Sequence, residues 1–166
     1  ERTGSMEVCL NFGQALVHCL VRSKAIGTPR RKRGPNNTMP PFAAIVVAAG
    51  QGMRAGQSVP KQFAPWRGKA LVAHSVQTLV DAGADPIIVA IPRGAELLAA
   101  QALCDMPQVR FVTGGATRQE SVYRTLEECA EFDPTRVLIH DAARPDIPPE
   151  LIGNLLNALE HYQGAV

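Results

Sequence analysis

Between residues 42 and 166, short runs of β-branched and other apolar residues alternate with longer stretches whose apolar positions recur every three or four residues. The short runs have the character of strands buried on both faces, and the longer ones that of helices with one apolar face. Residues 42–48 predict a first strand. Residues 70–82 put Leu71, Val72, Val76, Leu79 and Val80 at helical spacing and run into Gly83, which suits a C-terminal cap. A second strand is expected over 86–91, a helix over 95–103, a third strand over 109–112 and a helix over 118–130. A fourth strand follows over 136–139, then a helix over 149–161 with Pro149 in its first turn. Residues 164–166 read as the opening of another parallel strand. The alternation predicts an α/β fold built on an open, mostly parallel sheet.

The first part of the chain has a different character. It begins with Glu1 and passes through a stretch rich in Pro, Gly, Asn and Arg over residues 28–38, a composition that cannot bury a core. Residues 1–41 are therefore expected to be a disordered basic leader or upstream extension, with a linker or a targeting sequence as alternatives. Met39, three residues before the first strand, is a plausible true start of the functional protein. Residues 42–166 are expected to form the nucleotide-binding part of one domain.

Charge follows the same division. Residues 1–39 hold seven Lys/Arg against two acids, whereas residues 40–166 hold ten against thirteen. The overall charge of +2 thus comes from the leader, and nucleic-acid binding by the body is not indicated. The four cysteines, Cys9, Cys19, Cys104 and Cys129, form no Cys-x-x-Cys pair, so neither a zinc site nor a disulfide framework is encoded. No apolar run approaches the roughly 18 residues of a membrane span.

In an open α/β sheet, ligands bind beyond the carboxyl ends of the strands. After the first predicted strand comes Ala48-Ala49-Gly50-Gln-Gly52-Met-Arg54-Ala-Gly56, and then Pro60-Lys61-Gln62. Small residues let backbone N–H groups approach phosphate oxygens, and Arg54 and Lys61 supply the cations a triphosphate requires. Gly50-x-Gly52-x-x-Ala55 formally fits the dinucleotide fingerprint, but Pro60 and Pro65 interrupt the helix it should open. The second strand also ends in Ile91-Pro92-Arg93, without the acid that would hold a ribose. No Gly-Lys-[Ser/Thr] follows the glycines, so the Walker A loop is excluded as well.

Three segments together carry a resemblance. Ala48-Ala-Gly-x-Gly-x-Arg54 with Pro60-Lys61-Gln62 is similar to the signature of nucleotidyltransferases. Gly114-Gly115-x-x-Arg118-x-x-Ser121-Val122 and His140-Asp141-Ala142-Ala-Arg144-Pro145 resemble two further segments of the 2-C-methyl-D-erythritol 4-phosphate cytidylyltransferases. They occur in the family's order, each at a strand's carboxyl end. The resemblance covers about residues 42–166. It implies a Rossmann-like sheet of the nucleotidyltransferase type, truncated here at its C-terminus.

By position, the resemblance implies that Arg54 and Lys61 contact the triphosphate of CTP. They would stabilise charge at the α-phosphate as methylerythritol phosphate attacks and pyrophosphate leaves. Ala48, Ala49, Gly50 and Gly52 would lie along cytidine and phosphates, Gly115 and Ser121 on the base and ribose side, with Ala142 and Arg144 completing the nucleotide site. Asp141 would face a phosphate-bound Mg²⁺. Such transfer is mainly positioning and charge neutralisation, so two cations and a metal suffice. Against these roles stand plainer ones: an Asp141–Arg144 pair that shapes the loop, Ser121 as part of a helix start, and a solvated Arg118. His140, His74, Cys104 and Cys129 read as packing positions, and Trp66 as a cover for a loop.

The family continues past the equivalent of Val166 with residues that engage the acceptor and an arm that pairs two subunits, which implies a homodimer for the full-length enzyme. The 166-residue chain is accordingly expected to bind CTP weakly, to lack turnover and to aggregate through an unpaired sheet edge. A cyclodiphosphate synthase domain fused downstream, as in bifunctional relatives, remains open, as does a bacterial cytosolic or plastid location. Alternatives are a cytidylyltransferase for another polyol phosphate such as ribitol 5-phosphate, and a noncatalytic nucleotide-binding fragment.

Overall fold

A computed structural model of the chain describes residues 17–21, 41–50 and 59–166. Its centre is a six-stranded sheet. In chain order the strands are β1 (Val17–Val21), β2 (Ala43–Val47), then a small hairpin of β3 (Pro65–Trp66) and β4 (Lys69–Ala70), β5 (Ile87–Ile91), β6 (Val109–Thr113), β7 (Arg136–Asp141) and β8 (Gly164–Ala165). The helices are α1 (Leu71–Asp81), α2 (Glu96–Ala102), α3 (Arg118–Ala130) and α4 (Pro149–Ala158), and a short 3-10 turn covers Lys61–Phe63. The sheet order is β6-β5-β2-β7-β1-β8, and β3 and β4 form a separate pair.

β2 lies at the middle of the sheet, parallel to β5 on one side and to β7 on the other. β6 extends the parallel part beyond β5. Two-residue periodicity then divides β2 between two cores. Ala44 and Val46 join Phe42, Val76, Leu79 and Ile152 on one face, while Ala43 and Ile45 join Val122, Leu126 and Cys129 on the other. α3 covers the second face, and α1, α2 and α4 cover the first. Every residue of β5 is buried, as a central parallel strand requires. Each such Val or Ile contributes about 1.5–3 kcal/mol of transfer free energy.

The expected helices and strands of the body are present with small shifts at their ends. Two expectations do not hold. Val17–Val21 is a strand, paired antiparallel with β7, so a disordered leader is wrong for these five residues. Residues 28–38 have the composition of a disordered segment, whereas Val17-His-Cys-Leu-Val21 is apolar apart from His18 and has β-branched ends. The segment near residue 164 is not a parallel strand either: β8 pairs antiparallel with β1. The remainder of residues 1–40 and the segment 51–58 lie outside the described residues.

Candidate functional site

Five chain segments meet at the carboxyl ends of β2, β5, β6 and β7 and enclose a cleft of about 970 Å³. β2 delivers Ala48, Ala49 and Gly50 to its wall, and the 3-10 turn delivers Lys61 and Gln62. Gln62 is buried, and its Nε2 donates to the carbonyls of Ala48 and of Gly50, the latter at 2.7 Å. A buried side-chain amide must be satisfied, and satisfying it fixes the first residues of the glycine-rich loop against the turn that carries Lys61. Gly52 and Arg54, expected at the heart of that loop, lie outside the described residues.

The loop after β6 approaches β2 closely enough that only glycine fits. A Cβ on Gly114 would stand 2.2 Å from the Ala49 Cβ and 2.8 Å from Ser121 Oγ. Ser121 is itself buried; its hydroxyl accepts from Gly115 N at 3.0 Å and donates to the Thr117 carbonyl at 2.9 Å. Thr117 caps α3 by accepting the Glu120 N–H through its side chain. Gly115, Ser121 and Arg118 all line the cleft.

The third wall begins at the end of β7. Asp141 lines the cleft and is paired with Arg118, whose Nε donates to Oδ1 at 3.0 Å. The ion pair weighed with Arg144 is thus made with Arg118 instead. Arg144 also lines the cleft, with its own carbonyl held from behind by His140 Nε2 at 2.8 Å and Ser75 Oγ at 3.4 Å. Because a carbonyl can only accept, His140 Nε2 carries a proton. His140 is almost fully buried, in keeping with a packed histidine rather than a base. His74 likewise packs edge-to-face on Trp66, with 4.7 Å between ring centroids. Ala142 does not reach the cleft: it is fully buried, its N–H donates to the Val47 carbonyl at 3.0 Å, and Ala143 takes the position on the wall.

Among the described residues the lining holds five cations, Lys61, Arg93, Arg118, Arg124 and Arg144, against two acids, Glu120 and Asp141. This positive surplus sits in a body whose own charge balance is negative. A cleft with low-dielectric walls and one sign of charge concentrates polyanions. Gln62, Glu120, Arg93 and Arg124 carry no strong local signal, and sequence reading gave them no site role. The Pro-Lys-Gln triplet is the one visible hint, for Gln62.

Comparison with known proteins agrees with this geometry. Residues 42–166 match the family described as IspD, 2-C-methyl-D-erythritol 4-phosphate cytidylyltransferase. A bifunctional enzyme IspD/IspF of Erythrobacter litoralis is 57% identical over 128 residues, 77% of this chain and 33% of that protein. A 2-C-methyl-D-erythritol 4-phosphate cytidylyltransferase of Cereibacter sphaeroides is 42% identical over 125 residues, 74% of this chain and 56% of that one. The chain therefore spans only a third to about half of these relatives' length. The solved 4-diphosphocytidyl-2C-methyl-D-erythritol synthase of Anaerococcus prevotii superimposes with a TM-score of 0.59 at 28% identity, covering 73% of this chain and 51% of that one. With the family matched over the whole of the α/β body, this chain belongs to the 2-C-methyl-D-erythritol 4-phosphate cytidylyltransferases.

Proposed function

We propose that this chain supplies the nucleotide half of a cytidylyltransferase that moves the cytidylyl group of CTP onto 2-C-methyl-D-erythritol 4-phosphate. The observation that carries the reading is the cationic cleft in which Lys61, Arg118 and Arg144 converge on the small-residue walls at Ala48–Gly50 and Gly114–Gly115. In the reaction a phosphate oxygen of the acceptor bonds to the α-phosphorus of CTP. The bond from that phosphorus to the bridging oxygen breaks, and pyrophosphate leaves. Lys61 balances the negative charge that grows on the transferring phosphate; Arg54 has the same role by family position. Neither residue forms a covalent bond, since positioning and charge compensation carry this chemistry.

The residues present also suit a divalent cation of the Mg²⁺ type. Among the described residues no group of three metal-ligating side chains stands together, and Asp141 is a single carboxylate on the cleft wall. One carboxylate combined with substrate phosphates is how Mg²⁺ is commonly held. Bound there, the ion neutralises phosphate charge. No helix among the described residues is long and apolar enough to cross a membrane. Pairing into a homodimer and a cytoplasmic location belong to the same proposal, and family membership is what supports them.

Calorimetry of CTP with Mg²⁺ against the chain, with ATP and GTP as controls, tests the reading. CTP-selective binding that disappears in both Lys61→Ala and Arg54→Ala supports it. Binding that is indifferent to both cations removes it.

A further inference from the structure

The loop from Gly114 to Thr117 is gripped by two side chains whose purpose the transfer reaction does not explain. Glu120 Oε2 accepts from Ala116 N at 2.8 Å, and its other oxygen accepts from Arg124 Nη2. Arg124 Nη1 in turn donates to the Gly114 carbonyl at 3.2 Å. An i,i+4 Glu–Arg pair on a helix is usually no more than a weak surface contact. Here each partner also bonds to the loop backbone, Arg124 at Gly114 and Glu120 at Ala116, and both line the cleft. The Glu120 side chain packs over Gly115 so closely that a Cβ there would stand 2.3 Å from its Cδ and Cγ.

This arrangement decides what the loop can offer a ligand. Gly114 N donates to the Ile91 carbonyl, Gly115 N to Ser121 Oγ and Ala116 N to Glu120. Three consecutive N–H groups are thereby consumed; the Gly114 carbonyl is taken by Arg124 and the Thr117 carbonyl by Ser121, so the acceptors this stretch can offer are the carbonyls of Gly115 and Ala116. An acceptor wall favours a base edge that donates. Cytosine carries a donating 4-amino group where the uracil ring carries an accepting oxygen.

Resting on the nucleotide reading above, we propose that Glu120 and Arg124 are positioning residues that set base selectivity, by holding the Gly114–Thr117 loop with its N–H groups turned inward. Neither touches the reacting phosphate. Glu120→Ala frees the Ala116 N–H, which can then serve uracil. Glu120→Gln keeps an acceptor for that N–H and retains most of the selectivity. Arg124→Lys keeps a charge beside Glu120 but cannot also hold the Gly114 carbonyl.

Calorimetric Kd values for CTP and UTP, measured with Mg²⁺ on this chain and on the three variants, test the proposal, with circular dichroism confirming fold and Lys61→Ala as control. The CTP preference is expected to fall by on the order of tenfold in Glu120→Ala, less in Arg124→Lys and least in Glu120→Gln. A purely structural pair would lower Tm and leave the ratio of the two affinities unchanged. An unchanged ratio in folded Glu120→Ala, or in folded Arg124→Lys should the first variant not fold, overturns the proposal while CTP binding that needs Lys61 stands. Failure of the parent chain to prefer CTP at all overturns the nucleotide reading and this proposal together.

Discussion

Arg118 and Asp141 join the first turn of α3 to the last residue of β7, with guanidinium Nε and carboxylate Oδ1 3.0 Å apart in the lining of the cleft. Their side chains are 40% and 26% exposed, so solvent screens the pair. Such a pair contributes at most about 1 kcal/mol to stability. Arg118→Ala is accordingly expected to lower Tm by only a few degrees in a thermal melt. Asp141→Asn is expected to flatten the Mg²⁺ dependence of CTP affinity, measured by titrating the metal at fixed nucleotide. A large loss of stability in either variant would mark the pair as structural instead.

The contact of Gly114 with Ala49 gives a coupled prediction. Adding a methyl at 114 forces it onto the Ala49 Cβ at 2.2 Å, a separation real Cβ atoms do not show. The Ala49 neighbour is backbone-anchored, so the two loops must part. Gly114→Ala should destabilise by about 1–3 kcal/mol, as overpacking does. Ala49→Gly in the same chain removes the nearest clashing atom and should restore part of that loss, leaving the 2.8 Å approach to Ser121 Oγ. Urea denaturation of the two single variants and the double variant reads the coupling; strict additivity would contradict the geometry.

Gln62 is the buried amide on which the first residues of the glycine-rich loop depend. Gln62→Leu preserves bulk but leaves the carbonyls of Ala48 and Gly50 without their donor. Leaving a buried acceptor unsatisfied costs about 1–3 kcal/mol. The variant should show that loss in chemical denaturation and a weaker CTP affinity even where it is folded. Wild-type affinity in the folded variant would show that Gln62 does not organise the loop.

The strands and helices of the body were legible because their buried faces impose a period on the sequence. β2, β5, β6 and β7 and all four helices lie where apolar spacing expects them. β1 was missed because the polar, basic composition of residues 28–38 was extended to the whole leader, although residues 15–21 are apolar apart from His18. The β3–β4 hairpin was missed because two-residue strands have no period. At the site, Lys61, Gly115, Ser121, Asp141 and Arg144 lie on one cleft wall or another. Ala142 misleads because neighbours in a loop face opposite ways, so the motif could not tell it from Ala143. Glu120 and Arg124 looked like an ordinary helical ion pair. Their bonds to Ala116 and Gly114 depend on the path of the loop, which spacing does not encode.

The two described free cysteines differ in environment. Cys104 is exposed, whereas Cys129 is buried against the α3 face of the sheet, and burial raises its thiol pKa to about 12. The thiolate is the reactive form. In native protein at neutral pH, iodoacetamide should therefore label Cys104 and spare Cys129, with denaturant exposing both, as peptide mass spectrometry would read. Rapid native labelling of Cys129 would mean that α3 opens readily from the sheet.

Glu120 provides a prediction in pH. The Ala116 N–H and the Arg124 guanidinium both favour its carboxylate, so its pKa in the folded protein lies below the ordinary 4.5. A carboxyl group whose pKa falls on folding stabilises the native state fully at pH values above its unfolded pKa. As pH drops through 4.5 toward the folded value, the unfolded chain takes up the proton first and that contribution disappears. Glu120→Gln cannot titrate and so lacks this component at every pH. The stability difference between parent and variant should therefore stay constant from neutral pH down to the region of 4.5 and shrink below it. Urea midpoints measured in parallel across that range give the comparison. A difference that persists unchanged into strong acid would mean that the carboxylate charge does not hold the loop, and that the hydrogen bonds to Ala116 and Arg124 are kept by a neutral side chain equally well.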